Sequence, residues 1–167
     1  LCLAGAVAEK VARLAPGLSS EQRARVGDIV VEVLRALATD QLPRVRRILA
    51  AELQSATGVP TDVAELLARD PDLLVAGPML ENSPLLSDEF LLEIIASRPV
   101  QGTLDAIARR AGLSERLSDA IVDADKEAAV TALLGNRSAQ IREETLDEIA
   151  DRAERVTPWH TLLASRP

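Results

Sequence analysis

His160 is the only histidine in the sequence, so any Ser-His-acid or Cys-His catalytic arrangement would require it as the base. Its thiol partner could only be Cys2, the single cysteine, and its hydroxyl partner would be one of many unremarkable serines. His160 follows Trp159 near a helix start marked by Thr157 and Pro158. We therefore interpret His160 as a partly exposed helix residue and expect no enzymatic activity. We interpret Trp159 as a bulky anchor at the C-terminal end of the fold rather than as a ligand platform.

Three acidic residues, Asp123, Asp125 and Glu127, alternate as the first ligands of a calcium-binding loop do. That loop needs glycine at its sixth position and glutamate at its twelfth, where this sequence has Ala128 and Leu134. The motifs GxxxxGK[ST], GxGxxG, HExxH and CxxC do not occur in the sequence, so it lacks the ordinary nucleotide-binding and zinc-binding signatures. We expect the chain to require no metal and no cofactor.

The only concentration of basic residues consists of Arg44, Arg46 and Arg47, with Arg35 upstream. These side chains could bind an acidic partner or a phosphate group. Arginines at such positions of helical repeats can equally pair with acidic residues of the next repeat. We favour this second, structural interpretation.

The composition predicts an all-α fold. The chain has 167 residues, of which 47% are apolar and 27% charged, as in globular proteins. Its apolar residues are mainly leucine, alanine, valine and isoleucine, and Phe90 and Trp159 are the only aromatic residues. Alanine and leucine favour helices, whereas sheets draw on aromatic and β-branched side chains.

The charge and the cysteine content restrict the partners and the location. A net charge of −7 makes the binding of nucleic acid unfavourable. No apolar run approaches the roughly 20 residues that a membrane span requires. Because Cys2 alone cannot form an internal disulfide, we expect a reducing, cytoplasmic location.

The 3.6-residue hydrophobic period predicts two interleaved series of short helices. One series is predicted at residues 45–56, 75–82, 104–111 and 130–135, with a further start at His160. The other is predicted at residues 62–70, 88–97, 115–124 and 142–154. Successive helices of a series start 26 to 30 residues apart, so each unit is a helical hairpin with a period of about 28 residues.

Such hairpins bury their apolar stripes by stacking on their neighbours, which is the principle of an α-α superhelix, or solenoid. We predict about four to five hairpins. Thr61, Ser87 and Ser114 are predicted to cap helix N-termini. The predicted core residues are Leu67, Leu80, Ile95, Ile107, Ile121, Leu134 and Ile149.

Residues 1–42 are interpreted as a degenerate N-terminal pair of helices. The first is predicted from about Leu3 to Leu14, bears Val7 and Val11, and ends before Pro16-Gly17. Ser19 and Gln22 form a capping box for the second. Its apolar stripe consists of Val26, Ile29, Val30, Val33, Leu34 and Leu37.

In the second series, the equivalent positions Val63, Leu91, Leu117 and Leu146 are each followed two residues later by a carboxylate. If these equivalent positions form a row, neighbouring carboxylates lie about 10 Å apart and could bind a basic segment of a partner protein. They could equally be ordinary acidic residues near helix N-termini, where the helix dipole favours them, and two have an arginine four residues later. These candidate partner-binding residues are Glu65, Glu93, Asp119 and Glu148.

The sequence VAGPMLENSPLLSDEFL at residues 75–91 resembles a bacterial family, domain of unknown function 2336. Residues 106–110 and 113–114 suit the same pattern, and the likeness extends from about Val26 to Pro167. More loosely, the chain is similar to HEAT and leucine-rich-repeat-variant solenoids. The resemblance implies an α-α superhelix and supplies no catalytic or ligand residue.

We therefore expect one α-helical repeat domain over residues 1–167, with hairpins from residue 43 onward and the last one incomplete. The missing initiator methionine suggests a fragment of a longer chain. The expected function is a non-enzymatic scaffold or adaptor that binds a protein partner. Two alternatives stay open: a HEAT-like enzyme or domain that binds a small molecule or nucleic acid, and a self-assembly element that forms homo-oligomers through exposed repeat ends.

Overall fold

The computed structural model describes residues 20–97, 99–153 and 156–165, and every regular element in these ranges is an α-helix. The all-α prediction is therefore confirmed for this part of the chain, and the helix predicted at Leu3–Leu14 lies outside it. The helices are α1 (Ser20–Ala38), α2 (Pro43–Leu53), α3 (Thr61–Ala68), α4 (Leu73–Asn82), α5 (Asp88–Ala96), α6 (Thr103–Ala108), α7 (Glu115–Asp123), α8 (Glu127–Gly135), α9 (Glu143–Ala153) and α10 (Thr157–Ala164).

Small polar side chains start several of these helices, as expected from the amide groups that a helix N-terminus leaves without partners. Ser87 Oγ accepts a hydrogen bond from the amide of Phe90 (3.2 Å), and Ser114 Oγ accepts one from the amide of Leu117 (3.4 Å). The predicted caps of α5 and α7 are therefore confirmed. A cap that the sequence analysis did not single out is Asp72, which begins α4.

The predicted cap Thr61 is wrong, because Thr61 is the first residue of α3 and Pro60 precedes it as the cap. The carbonyl oxygen of Pro60 accepts hydrogen bonds from the amides of Val63 (3.1 Å) and Ala64 (3.4 Å). The first turn therefore closes on the proline carbonyl, and no side chain is needed to begin the helix.

Several helices bury two neighbouring residues and then, four positions later, two more. This spacing keeps the buried residues on one face of the helix. In α3, α5 and α7 these pairs begin at Val63, Phe90 and Leu117, which are 27 residues apart in each case. The seven residues predicted to form the core are all buried, with at most 9% of their surface exposed. The predicted core is therefore confirmed.

The chain divides into two compact units, one with the residues up to Met79 and Ser83–Leu85, the other with Leu80–Asn82 and the residues from Leu86 onward. In the first unit, α1 packs on α2 and α3, which also contact each other. In the second unit, α5 contacts α7 and α7 contacts α9, while α6 contacts α8 and α8 contacts α10. Each helix of the second unit thus packs on the helix two places along the chain.

Candidate interaction surface

Three of the four arginines that the sequence analysis singled out form ion pairs inside the first unit, namely Arg35, Arg46 and Arg47. Arg35 Nε donates to Asp62 Oδ2 at 2.7 Å, and Arg47 donates to Asp72 Oδ2 from two nitrogens at 2.6 and 2.9 Å. The Arg35 hydrogen bond lowers the pKa of the Asp62 carboxyl, and the Arg47 hydrogen bond lowers that of Asp72. The structural interpretation is therefore confirmed for Arg35, Arg46 and Arg47, whereas Arg44 is exposed.

Arg46 makes the most enclosed of these contacts. Its Nε and Nη2 atoms donate to the two oxygens of Asp70 at 2.5 and 3.2 Å, and its Nη1 atom donates to the carbonyl oxygen of Asp40 at 2.6 Å. The side chains of Arg46 and Asp70 are only 14% and 5% exposed. One guanidinium thus connects the loop after α1, the helix α2 and the end of α3.

In the second unit, polar side chains bind the carbonyl groups that helix C-termini leave without partners. Arg110 Nη1 donates to the carbonyl oxygen of Leu80 at 2.6 Å, and Arg152 Nη1 donates to that of Val122 at 3.1 Å. Burial lowers the pKa of the Arg110 guanidinium. These arginines serve the fold of their own chain, so they are poor candidates for phosphate binding.

The starts of α5 and α7 are joined by a second set of contacts. Ser114 Oγ donates to Asp88 Oδ2 at 2.5 Å, and Arg116 Nη1 donates to Glu89 Oε1 at 3.2 Å. The pKa of the Glu89 carboxyl is lowered, first by a hydrogen bond from its own amide and then by Arg116. These contacts thus join the start of α7 to the start of α5, which lies about one repeat earlier in the chain.

The four acidic residues proposed from the repeat register have different surroundings. Asp119 accepts hydrogen bonds from Arg142 and from Thr145 Oγ1 (2.5 Å for the latter), and 19% of its side chain is exposed. Glu148 forms an ion pair with Arg152 four residues later. Glu65 is half-buried in the first unit, and Glu93 is exposed in the second. Two of the four are thus held by arginines of the same chain, and their role in partner binding stays a prediction.

A more exposed acidic surface lies on α9, and the sequence analysis missed it. Glu144, Asp147, Glu148 and Asp151 recur at intervals of three and four residues, so they share one helix face, and all four are exposed. Within the part of the chain that the structure describes, Asp147 and Asp151 form no ion pair or side-chain hydrogen bond. The helical period of these acids could have revealed this face, which we call the α9 acidic face.

The residues considered for catalysis were His160 and Cys2. His160 is exposed on α10, and Cys2 lies outside the described residues. Trp159 is buried, and its Nε1 atom donates to Thr131 Oγ1 at 2.8 Å. The buried position agrees with the expected anchoring role of Trp159.

An open cleft of about 450 Å³ lies in the second unit between the loops around Gly102 and Lys126. It has three carboxylates, those of Asp105, Asp125 and Glu127, and Arg152 contacts Asp125 at 3.3 Å. No group of three or more histidine, cysteine, aspartate or glutamate residues among the described positions is arranged to hold a metal ion. In those same ranges, no helix is both long and apolar enough to cross a membrane.

The comparison with known families matches residues 75–167 to the family described as "Uncharacterised protein conserved in bacteria (DUF2336)". Neither the curated proteins nor the solved structures yielded a match. The matched region covers more than half of the sequence, and it includes the helices from α5 to α10 and the contacts described for the second unit. The chain therefore belongs to the DUF2336 family of bacterial proteins.

Proposed function

We propose that this chain is a non-enzymatic protein-interaction scaffold whose helical hairpins belong to the α-solenoid class. The exposed α9 acidic face is the observation that carries the functional part of this proposal. Its expected partner is a protein with a basic segment, because opposite charges steer association and set the orientation of the complex. The proposal includes a cytoplasmic location, which depends on the single cysteine of the sequence.

Side-chain contacts at one recurring separation support the repeat architecture. In a stack of similar hairpins, equivalent positions of neighbouring repeats meet, so contacts accumulate at one separation along the chain. Contacts at separations of 26 to 28 residues occur in both units. They join Arg35 to Asp62, Asp88 to Ser114, Glu89 to Arg116, Ala108 to Asn136, Asp119 to Thr145 and Thr131 to Trp159.

The distribution of acidic groups supports the assignment of the partner. Asp119 and the acids of the first unit that pair with arginines are already neutralised within the chain. Asp147 and Asp151 keep their charge at the surface, and Glu144 adds to it on the same face. Asp147 and Asp151 therefore offer a basic partner two carboxylates of α9 that no ion pair of the described residues neutralises, and Glu65 and Glu93 remain secondary candidates.

The test is affinity capture from a bacterial lysate with this 167-residue chain, followed by mass spectrometric identification and a binding titration with the purified partner. The variant Asp147→Lys/Asp151→Lys should slow association by at least about tenfold, and raised salt should weaken the wild-type complex. The matched control is Asp28→Lys/Glu32→Lys, which makes the same change in charge at exposed positions of α1. Salt-independent binding, or equal losses in both variants, would contradict the α9 acidic face as the binding surface.

A second arm tests the register-based acids. Glu65→Lys/Glu93→Lys should reduce binding less than the α9 variant if α9 carries the interaction. A larger loss in this variant would instead favour the row of acids predicted from the sequence. Capture of only further copies of this chain would favour self-assembly over a scaffold.

A further inference from the structure

Helix α1 leaves an apolar stripe exposed, although α2 and α3 pack on this helix. Ile29 and Val33 are 59% and 51% exposed, and Ala36 is exposed as well. These residues follow one another at intervals of four and three, so they lie along one side of the helix, and we call them the α1 stripe. An exposed apolar stripe with charged neighbours is typical of a surface that binds another protein.

Two opposite charges, those of Arg25 and Glu32, border the α1 stripe on the same side. Successive residues of an α-helix are about 100° apart, so Arg25 and Glu32 lie about 40° and 60° from Ile29 in the same sense. Both side chains are exposed. In the described ranges, Glu32 forms no ion pair, and Arg25 pairs with Glu21 in a contact that leaves both side chains 76% exposed. Because such exposed pairs contribute little to stability, both charges can bind another molecule.

We propose that a second copy of this chain covers the α1 stripe, with the two α1 helices antiparallel about a two-fold axis. Copies related by such an axis present the same surface to each other, so each contact between two different residues occurs twice. Positions 25 and 32 are symmetric about a point beside Ile29. The two Ile29 side chains then meet close to the axis, and Arg25 of each copy faces Glu32 of the other. This inference goes beyond the proposed scaffold function, because it concerns α1 and a second copy rather than α9 and a basic partner.

The charges favour this antiparallel pair over a parallel one. In a parallel pair, the side of the stripe that carries Arg25 and Glu32 would face the opposite side of the other helix, which carries Val30 and Leu37. Neither charge would then meet an opposite one, whereas the antiparallel pair matches both charges twice. Because only about three turns of one helix per copy take part, we expect a weak dimer with a micromolar dissociation constant.

Sedimentation equilibrium of this 167-residue chain over the micromolar concentration range tests the proposal. The wild type should dimerise as its concentration rises, and Ile29→Asp should raise the dissociation constant at least about tenfold. The matched control is Leu74→Asp, since Leu74 is exposed to a similar extent (61%) in the same unit, and it should leave the dissociation constant unchanged. A monomeric wild type over the whole range, or equal effects of the two variants, would contradict the proposal and assign the α1 stripe to another partner.

Charge reversal at Arg25 and Glu32 tests the orientation of the two helices. Arg25→Glu and Glu32→Arg each place like charges opposite one another, so each variant should dimerise about tenfold more weakly at low ionic strength. The double variant restores opposite charges and should recover most of the lost affinity. An equimolar mixture of the two single variants should form heterodimers for the same reason. A double variant that dimerises no better than the single ones, or a mixture without heterodimers, would contradict the antiparallel pair.

The two proposals can fail separately, because they concern different surfaces. Asp147→Lys/Asp151→Lys should dimerise as the wild type does, and Ile29→Asp should still capture a basic partner. Asp28→Lys/Glu32→Lys, the control of the capture experiment, should bind that partner but dimerise weakly, since it reverses the charge of Glu32. Loss of the dimer in the α9 variant would contradict α1 as the contact between copies.

Discussion

The side-chain amide of Asn136 lies 2.8 Å from the carbonyl oxygen of Ala108, 28 positions earlier in the chain. The same nitrogen donates to the carbonyl of Arg110 at 2.7 Å, while Oδ1 accepts hydrogen bonds from the amide and hydroxyl of Ser138. The amide nitrogen of Asn136 thus donates hydrogen bonds to carbonyl groups at the end of α6, and its amide oxygen accepts hydrogen bonds within its own loop.

We expect Asn136→Asp to destabilise the protein more than Asn136→Ala. The aspartate keeps the size and the acceptor oxygens of asparagine, but it loses the donor and places a negative charge beside two carbonyl oxygens. The expected loss in the free energy of unfolding is about 1–3 kcal/mol for alanine and more for aspartate. Urea denaturation measures both, and Arg137→Ala at the exposed neighbouring position should change stability by less than about 0.5 kcal/mol. Equal losses for the two Asn136 variants would mean that the negative charge of the aspartate beside the two carbonyl oxygens adds no cost.

Truncation of the buried isoleucine of α7 should have a large effect. Ile121 has no exposed surface, so Ile121→Ala leaves a cavity and should cost about 2–5 kcal/mol. The control Leu74→Ala removes a similar volume at an exposed site and should cost less than about 0.5 kcal/mol. Similar losses for the two variants in urea denaturation would show that the burial pattern is incorrect.

The Arg46–Asp70 contact should show strong coupling in a double-mutant cycle. Arg46→Met leaves the nearly buried Asp70 carboxylate without its guanidinium, and Asp70→Asn leaves the guanidinium with a neutral partner. We expect each single change to destabilise the protein and the double change to cost less than the sum. The matched surface pair Arg25–Glu21, with both side chains 76% exposed, should show little coupling. Additive effects at Arg46 and Asp70 would contradict the importance of this contact.

The stability should decrease at acidic pH because of the carboxylates with lowered pKa. In the folded chain, the pKa of Asp62, Asp72 and Glu89 lies below the ordinary value of about 4, so these groups bind protons more weakly than they do in the unfolded chain. Their stabilising contribution is therefore complete above the ordinary pKa and is lost as the pH falls through the lowered pKa of the folded state.

Denaturation midpoints measured between about pH 6 and pH 3 test this prediction. Asp72→Asn should flatten the profile, because it removes a carboxylate that Arg47 holds in its ionised form. Asp28→Asn, at an exposed position of α1, is the control and should leave a profile close to that of the wild type. Added salt should weaken the effect, since all these carboxylates retain contact with solvent. An unchanged profile for Asp72→Asn would contradict the prediction.

The single tryptophan reports on the packing of α10 against α8. Trp159 is buried and its indole N–H donates to Thr131 Oγ1, so its fluorescence should shift to longer wavelength on unfolding. Thr131→Val keeps the shape of the side chain but removes the acceptor, and should cost about 0.5–1.5 kcal/mol. A loss of blue-shifted emission in the folded Thr131→Val protein would show that the hydrogen bond holds the ring in place. Unchanged stability and emission would mean that packing alone holds it.

The helices and their buried faces were predictable from the sequence because they follow from local properties. Caps such as Ser87 and Ser114 act within three residues, and the apolar period selects the face that must leave water, as Ile107 and Ile121 illustrate. Thr61 was wrongly predicted as a cap. The first turn of its helix is closed by hydrogen bonds to the carbonyl group of the preceding residue, Pro60, and not by the hydroxyl group of Thr61.

The partner of each charged side chain could not be predicted from the repeat register. Asp119 and Glu148 occupy equivalent positions in the repeat, yet Asp119 is held by Arg142 and Thr145 at the start of the next helix of its series, whereas Glu148 pairs with Arg152 of its own helix. This difference depends on which side chains one repeat later can reach the carboxylate, and on how deeply the pair is enclosed.

The sequence by itself determined the all-α class, the helix positions and the family, because hydrophobic periodicity and capping are properties of neighbouring residues. Only the tertiary structure decided that Arg46 forms an ion pair with Asp70 and that Asn136 donates a hydrogen bond to the end of α6. It also decided which acids remain exposed, such as Asp147 and Asp151. The physical reason is that a hydrogen bond or ion pair requires its partners within about 3 Å, and this distance is set by helix packing across some 25 residues of chain.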